Sequence, residues 1–316
     1  MTSIEPVIAV HGGAGQLPRQ RREYPGRKKI EIGIAAAVRA GQIVLNKGGS
    51  AVRAVAAAVR VLEDDELFNA GRGAALCTDG TVELSASIMN GRNRAAGAMV
   101  GLKQTRNPVL AAQQLMDHAH CLLFGRHGDA YAAAAGLEQV DPAYFRTPYR
   151  ERQLQRQKRK RGTETALDHS DESAHGTVGA VARDRRGNVA AATSTGGLVN
   201  QLAGRVGDTP VIGAGTWADN SVCAISATGK GDAFARIAFA RRVADLIELA
   251  SMAPDAAAET ALQEVAMVRG NGGCLILTAC GQLIMPFTTA QMIRGWAEGR
   301  EAPCVGLFPD ESVVIE

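Results

Sequence analysis

The junction Gly176–Thr177, inside His175-Gly-Thr-Val-Gly-Ala-Val-Ala182, constrains this chain more than any other feature. Upstream, from roughly Arg150 to Ala174, the residues are polar and charged, with no apolar periodicity. From Thr177 onward Val178, Ala180 and Ala182 alternate with other small residues, which is the pattern of a buried strand. An irregular segment ending on Gly-Thr at the start of a strand is what self-cleavage requires. Scission there leaves a threonine with a hydroxyl nucleophile and a free amine in one residue. An α-amino group has a pKa of about 7.7–8.0, so it can accept the hydroxyl proton near neutral pH. Threonine activated by its own N-terminal amine is an established nucleophile. Taken alone, these eight residues also read as a glycine turn before a β-branched strand residue.

Composition narrows the setting. A length of 316 residues with 46% hydrophobic content supports one or two domains with a sizeable core. Only 4% are aromatic and 36 are glycine, which suggests tightly packed layers with close backbone approach. The net charge of +3 is misleading, because residues 150–162 hold seven basic residues against one acid. The rest of the chain is mildly acidic and offers no nucleic-acid surface. The basic run reads as a solvated flexible linker over about 150–176. Six scattered cysteines, none in a CxxC pair, fit reduced thiols better than disulfides or zinc. The start, MTSIEPVIAVHGG, lacks a basic region followed by a long apolar stretch, and no segment approaches membrane-spanning length. A cytoplasmic protein with no membrane contact is expected.

Periodicity and punctuation predict a strand at 6–10, helices at 30–46 and 50–62, and strands at 80–89 and 96–102. A helix is expected from Asn107-Pro108 to about His118, and another near Asp129. Beyond the linker come strands at 177–183, 188–194 and 222–227, then helices at 232–248 and 254–269. A last pair of strands is expected at 274–278 and 282–286. Helices are grouped before and after runs of strands instead of alternating with them. That argues for an α+β fold with mainly antiparallel sheets flanked by helices.

Three glycine-rich segments downstream of Thr177 carry candidate chemistry. In Ala192-Thr-Ser-Thr-Gly-Gly197, Thr195 is the hydroxyl best placed to bond the nucleophile. In Gly204-Arg-Val-Gly-Asp208, Arg205 and Asp208 suit the carboxylate and ammonium of an α-amino acid. Alternatively the two form a mutual surface salt bridge. In Ala227-Thr-Gly-Lys-Gly-Asp232, the Thr228 hydroxyl and nearby backbone N–H groups could hold a developing oxyanion. Its Gly-Lys-Gly lacks the first glycine and the final Ser/Thr of a phosphate loop. HGGAG at 11–15 likewise lacks the dinucleotide register.

Taken in order, the segments resemble the plant-type asparaginase and isoaspartyl peptidase branch of the N-terminal nucleophile hydrolases. The matching stretches are HGGAG at 11–15, LEDDELFNAGRGA at 62–74, HGTVGAVA at 175–182 and GNVAAATSTGG at 187–197. GRVGDTPVIGAG at 204–215, SATGKGD at 226–232 and MPFTTAQMIRG at 285–295 complete the set. The resemblance implies a four-layer αββα sandwich, cut between Gly176 and Thr177 into an α subunit of 1–176 and a β subunit of 177–316. Two such pairs would assemble as an (αβ)2 particle. The substrate implied is a small molecule, L-asparagine or an isoaspartyl (β-aspartyl) dipeptide, hydrolysed through an acyl-enzyme on Thr177.

The resemblance further implies that Thr195 orients the nucleophile and that Thr228 with the Gly229 N–H forms the oxyanion hole. Arg205 would hold the α-carboxylate, Asp208 with the Gly231 carbonyl the α-amine, and Asn69 would support the nucleophile. No organic cofactor is implied. A structural sodium ion is, on the backbone carbonyls of Leu62, Glu63, Asp65, Phe68, Ala70 and Arg72. Departures from the family pattern bear on substrate range. Lys230 stands where a small hydroxyl residue is usual, Thr288 replaces an asparagine, Ser85 an aspartate, and Thr216-Trp217 a Cys-Tyr-like pair. A glycosylasparaginase-like or taspase-like hydrolase of the same fold, or an uncleaved, catalytically silent binding protein, are the alternatives.

Overall fold

The computed structural model describes residues 4–15, 26–161 and 176–315. The first half runs β1 (Val7–Gly15), α1 (Arg27–Asn46), α2 (Ala51–Asp64), β2 (Leu84–Asn90), β3 (Ala96–Leu102), α3 (Pro108–Leu115), β4 (Leu122–Phe124), α4 (Gly125–Ala134) and α5 (Pro148–Arg161). The second half runs β5 (Val178–Arg183), β6 (Val189–Thr195), β7 (Thr216–Ala218), β8 (Cys223–Gly229), α6 (Gly231–Arg236), α7 (Phe239–Glu248), α8 (Pro254–Met267) and β9 (Gly272–Thr278). It closes with β10 (Leu283–Ile284), β11 (Gln291–Glu298), β12 (Cys304–Gly306) and β13 (Val313–Val314).

Among the described residues the strands form a nine-stranded sheet, β13-β12-β11-β1-β5-β6-β2-β3-β4, and a four-stranded sheet, β10-β9-β8-β7. Neighbouring strands are antiparallel except β3 and β4. The period of two along each strand divides its side chains between two layers. On β1, β5 and β6, residues Ile8, Val10, Val178, Ala180, Ala190 and Ala192 pack in one core with the apolar faces of α1 and α2. The intervening Val7, Ala9, Val181, Val189 and Ala191 meet Ala224, Leu275 and Leu277 of the smaller sheet. The other face of that sheet, with Ile225 and Ile276, packs against Val243 of α7 and Leu262 of α8. Three apolar cores between four layers make the expected αββα sandwich. Each large aliphatic side chain buried there contributes about 1.5–3 kcal/mol.

Local signals place most elements within a few residues of expectation. Ser50 caps α2, its hydroxyl accepting from the Arg53 N–H at 3.3 Å. Two regions differ. The segment expected to begin the flexible linker is α5, a helix through Arg161. Arg150, Gln153, Leu154 and Gln157 are buried at the i, i+3, i+4, i+7 spacing of a helix face. Arg150 Nε donates to the Gly73 carbonyl at 2.6 Å and Nη1 to Gln153 Oε1 at 2.9 Å. The face is buried but mostly polar, so an apolar pattern could not reveal it. Residues 162–175, the remainder of that segment, lie outside the described residues. The helix expected over 232–248 is divided into α6 and α7 by Ala238, which takes a left-handed φ of 50°.

Candidate active site

Strand parity brings the three threonines together. The register of β5 on β6 pairs Val178 with Ser194 and Gly179 with Thr193, so one residue further Thr177 stands opposite Thr195. Odd-numbered positions on β5 and β6 share the face that meets the smaller sheet, as Val181 and Ala191 do. On β8 that face carries Ala224, Ser226 and Thr228 by alternation. The Thr177 hydroxyl donates to Thr195 Oγ1 at 3.1 Å, and both residues are buried. Thr195 Oγ1 also accepts from the Gly197 N–H at 3.0 Å. Asn69 holds that turn from the other side, donating to the Gly197 carbonyl at 2.7 Å and accepting from Ala75 N at 2.8 Å. Asn69 therefore acts on Thr195 through a turn, without touching Thr177 in these contacts.

Thr228 Oγ1 accepts from Ala14 N at 3.2 Å and would lie 3.0 Å from a Cβ placed on Gly176. Gly13, at φ 111°, is packed so closely on Gly176 that any side chain there would run into the Gly176 backbone. The approach is possible because β1 breaks register between His11 and Gly13, a bulge that re-aims the strand. The residue before Thr177 is thus pressed between HGGAG and the Thr228 hydroxyl.

Beneath these residues runs a chain of hydroxyls that the sequence reading missed. His11 Nε2 is 2.9 Å from Ser226 Oγ, and Thr193 Oγ1 lies 2.8 Å from Ser226 and 2.5 Å from Thr216 Oγ1. Ser87 donates to the Thr209 carbonyl at 2.6 Å, and its Oγ lies 2.7 Å from Thr216 Oγ1. Buried polar groups need such partners, since each left unpaired costs about 1–3 kcal/mol. Burial drives the His11 pKa down to about 3 against the opposing pull of the Thr177 backbone, so the ring is neutral at working pH. The signal available was a set of small hydroxyl residues at Ser87, Thr193, Thr216 and Ser226 within strands, which reads equally well as ordinary strand composition.

The residues expected to recognise substrate lie on the loop after β6 and on α6. Asp208 is buried, and its Oδ2 has no hydrogen-bond partner among the described residues. Burial lifts its pKa to about 7, with Arg205 pulling the other way. Arg205 does not pair with Asp208. It makes a fork to Asp232, Nη2–Oδ2 2.8 Å and Nε–Oδ1 3.3 Å, and Nη1 donates to Gln201 Oε1 at 3.3 Å. Asp232 was read only as the wrong residue for a phosphate loop, and here it orients the guanidinium. Gly231 fits against both groups: a Cβ there would lie 2.6 Å from Asp208 Oδ1 and 3.1 Å from Arg205 Nη2. Gly229 at φ 151° lies against the Asn271–Gly272 backbone, with no space for a side chain.

The segment expected to hold sodium begins where α2 ends. Asp65 leaves the helix in an extended conformation, so the last carbonyls, including those of Leu62 and Glu63, lose their helical partners. A helix C-terminus favours a cation. Gly71 lies against the Glu63 carbonyl, and Gly73 against the carbonyls of Phe68 and Glu66, approaches that a side chain would block. Among the other expected ligands, the Asp65 carbonyl accepts from Phe68 N at 3.2 Å and that of Ala70 from Gly73 N at 3.1 Å. Each keeps a second lone pair. This all-oxygen donor set fits a hard cation.

The Glu63 side chain points elsewhere. Its Oε1 accepts from Ser194 Oγ at 2.6 Å and from Val109 N at 3.0 Å. Burial raises its pKa to about 8. Of the departures, Ser85 pairs with Thr195 in the β2–β6 register, and Thr288 Oγ1 bridges the N–H and carbonyl of Gly272 at 3.2 Å each.

Comparison with known proteins identifies the family. The profile of the family described as Asparaginase matches residues 4–307. The chain belongs to the asparaginase family. It is 40% identical to the isoaspartyl peptidase of Escherichia coli over 98% of both chains. It is 40% identical to the isoaspartyl peptidase of Salmonella typhimurium, over 96% of this chain and 98% of that one. Against the isoaspartyl peptidase/L-asparaginase of Homo sapiens the identity is 36% over 99% of both. Among the described residues of this family member, no helix is long and apolar enough to cross a membrane.

Proposed function

We propose that this asparaginase-family protein is a self-maturing threonine amidohydrolase acting on L-asparagine and β-aspartyl dipeptides. One observation carries the reading: the Thr177 hydroxyl bonded to Thr195 at 3.1 Å, with Gly176 pressed against the Thr228 hydroxyl. In maturation Thr177 Oγ1 attacks the Gly176 carbonyl carbon, the Thr177 nitrogen leaves with a proton, and water hydrolyses the resulting ester. The products are an α subunit of 1–176 and a β subunit of 177–316.

In turnover the freed amine takes the Thr177 hydroxyl proton as Oγ1 attacks the side-chain carbonyl of the substrate. The Thr228 hydroxyl and the Gly229 N–H stabilise the oxyanion, a donor effect worth about 10²–10³ in kcat. The proton passes to the departing nitrogen, which leaves as ammonia or as an amino acid. Water then releases L-aspartate and restores Thr177. Arg205 binds the α-carboxylate, while ionised Asp208 and the Gly231 carbonyl bind the α-ammonium. Asn69 positions Thr195 through the Gly197 turn. Sodium on the carbonyls of Leu62, Glu63, Asp65, Phe68, Ala70 and Arg72 would stiffen the loop that carries Asn69.

The same reading includes assembly as (αβ)2 and residence in the cytoplasm, the latter supported by six cysteines that are all unpaired. The test is purified protein on a denaturing gel. Two fragments of about 18 and 15 kDa are expected in place of one of 33.1 kDa, the smaller beginning Thr-Val-Gly-Ala. Ammonia release from L-asparagine should accompany them. Thr177→Ala should leave a single inactive chain, and residual cleavage in that variant would remove Thr177 from its role.

A further inference from the structure

The buried hydroxyls beneath the site form one unbroken line, which neither maturation nor turnover uses. His11, Ser226, Thr193, Thr216, Ser87 and Thr209 are all completely buried and come from five strands and one loop. Steps of 2.5–2.9 Å lead from His11 Nε2 through four hydroxyls to the Thr209 carbonyl. Gly179 leaves space for the first step, since a Cβ there would run into Ser226 Oγ and lie 2.6 Å from His11 Nε2. Thr216 supplies a middle hydroxyl at one of the positions where this chain departs from the family pattern.

Both ends of the line reach the site. His11 pairs with Gly179 in the β1–β5 register, and the Thr177 backbone favours the charged form of its ring, as a carbonyl acceptor does. At the other end the Thr209 backbone favours ionised Asp208, as an N–H donor does. The line therefore joins the carboxyl proposed to bind the substrate ammonium to the backbone of the nucleophile. Its protons also have a direction. Ser87 has one proton and the Thr209 carbonyl can only accept, so Ser87 donates there and accepts from Thr216. The same count continues through Thr193 and Ser226 and draws the single N–H of neutral His11 to Nε2. The Thr177 backbone competes for that ring proton. A reversed line would have Ser226 donating to the ring and would leave the Thr209 carbonyl without its donor.

We infer that Ser87, Thr216, Thr193 and Ser226 are positioning residues that couple Asp208 to Thr177, an inference that rests on the amidohydrolase reading above. Ammonium binding at one end and orientation of the nucleophile at the other share one arrangement of protons. A two-state element biased from both sites is the physical basis such coupling requires.

The test is a double-variant cycle on mature enzyme, checked by its two bands. The readout is kcat/KM for L-asparagine or β-Asp-Leu, whichever is turned over faster. Thr216→Val breaks the line at a hydroxyl whose partners are Ser87 and Thr193. It should lower kcat/KM about fivefold to tenfold, and Thr216→Ser should restore it. With Asp208→Asn already present, Thr216→Val should cost little more. The double variant should then retain about fivefold more activity than the product of the two single losses. Ser87→Ala, which breaks the line at its Asp208 end, should behave alike and takes the place of Thr216→Val if that variant does not mature. Losses that simply multiply, or a loss that Thr216→Ser does not restore, would overturn the coupling and leave the amidohydrolase reading intact. Wild-type enzyme that turns over neither substrate would overturn both.

Discussion

The nucleophile end of the site and its recognition wall are made differently, although they adjoin at Thr228–Gly231. Thr177, Thr195 and Thr228 are uncharged, buried, and fixed by strand register between two sheets. Arg205, Asp208 and Asp232 hang on a loop and on the six-residue α6, held by an ion pair and glycines that admit no side chain. Geometry at the first end is shared with the core and cannot shift without disturbing the sandwich. At the second, one side chain can change without touching a sheet. Substitutions among the threonines should therefore act on kcat, and those on the wall on KM.

The largest effect that tests this division is Thr228→Val. It keeps the shape but removes the hydroxyl, and kcat on L-asparagine should fall by about 10²–10³ with KM little changed. A rise in KM alone would place Thr228 on the recognition side. Next is Asp208→Asn, which removes the acceptor for the ammonium and should raise KM by about tenfold to a hundredfold. Its pH dependence sharpens the point. With the carboxyl pKa lifted to about 7, the group is neutral below that pH and ionised above it. Wild-type KM should rise as pH falls through about 7, and Asp208→Asn should flatten that rise. A KM profile unchanged by the substitution would take Asp208 out of the clamp.

The smallest effect concerns the helix–sheet layer behind the threonines. Glu63 keeps its proton in the fold up to about pH 8, against an ordinary value of 4.5. Between those values the unfolded chain releases a proton that the folded chain retains, so stability falls as pH rises. Glu63→Gln preserves an acceptor for Ser194 and Val109 without this titration. Its Tm should gain on wild type by about 5 °C between pH 5 and pH 8. A Tm difference independent of pH would mean that Glu63 is already ionised in the fold.

Much of the nucleophile end was legible in the sequence because its geometry is periodic. Two strands read at 177–183 and 188–194 with a short turn between them bring Thr177 near the end of the second strand, and the register that sets it opposite Thr195 is a finding of the structure. The clamp was legible only in part. Arg205 and Asp208 were identifiable as a pair of opposite charges that suits either an amino-acid clamp or a mutual salt bridge. The structure instead couples Arg205 to Asp232, which is 27 residues away. The helix at 148–161 escaped for another reason: its buried face is built from Arg150 and two glutamines, whose hydrogen bonds replace the apolar contacts that pattern reading depends on.

The sequence alone determined the strand and helix grouping and singled out the Gly-Thr step and its hydroxyl as candidates, because these follow from local conformational preference and side-chain chemistry. Tertiary structure decided which long-range partners those groups met. The bulge that sets Gly13 on Gly176, the neutral His11 over its hydroxyl chain, and the fork of Arg205 on Asp232 all depend on how two sheets stack and where loops cross. Stacking is settled by the packing of the whole molecule, which no short segment encodes.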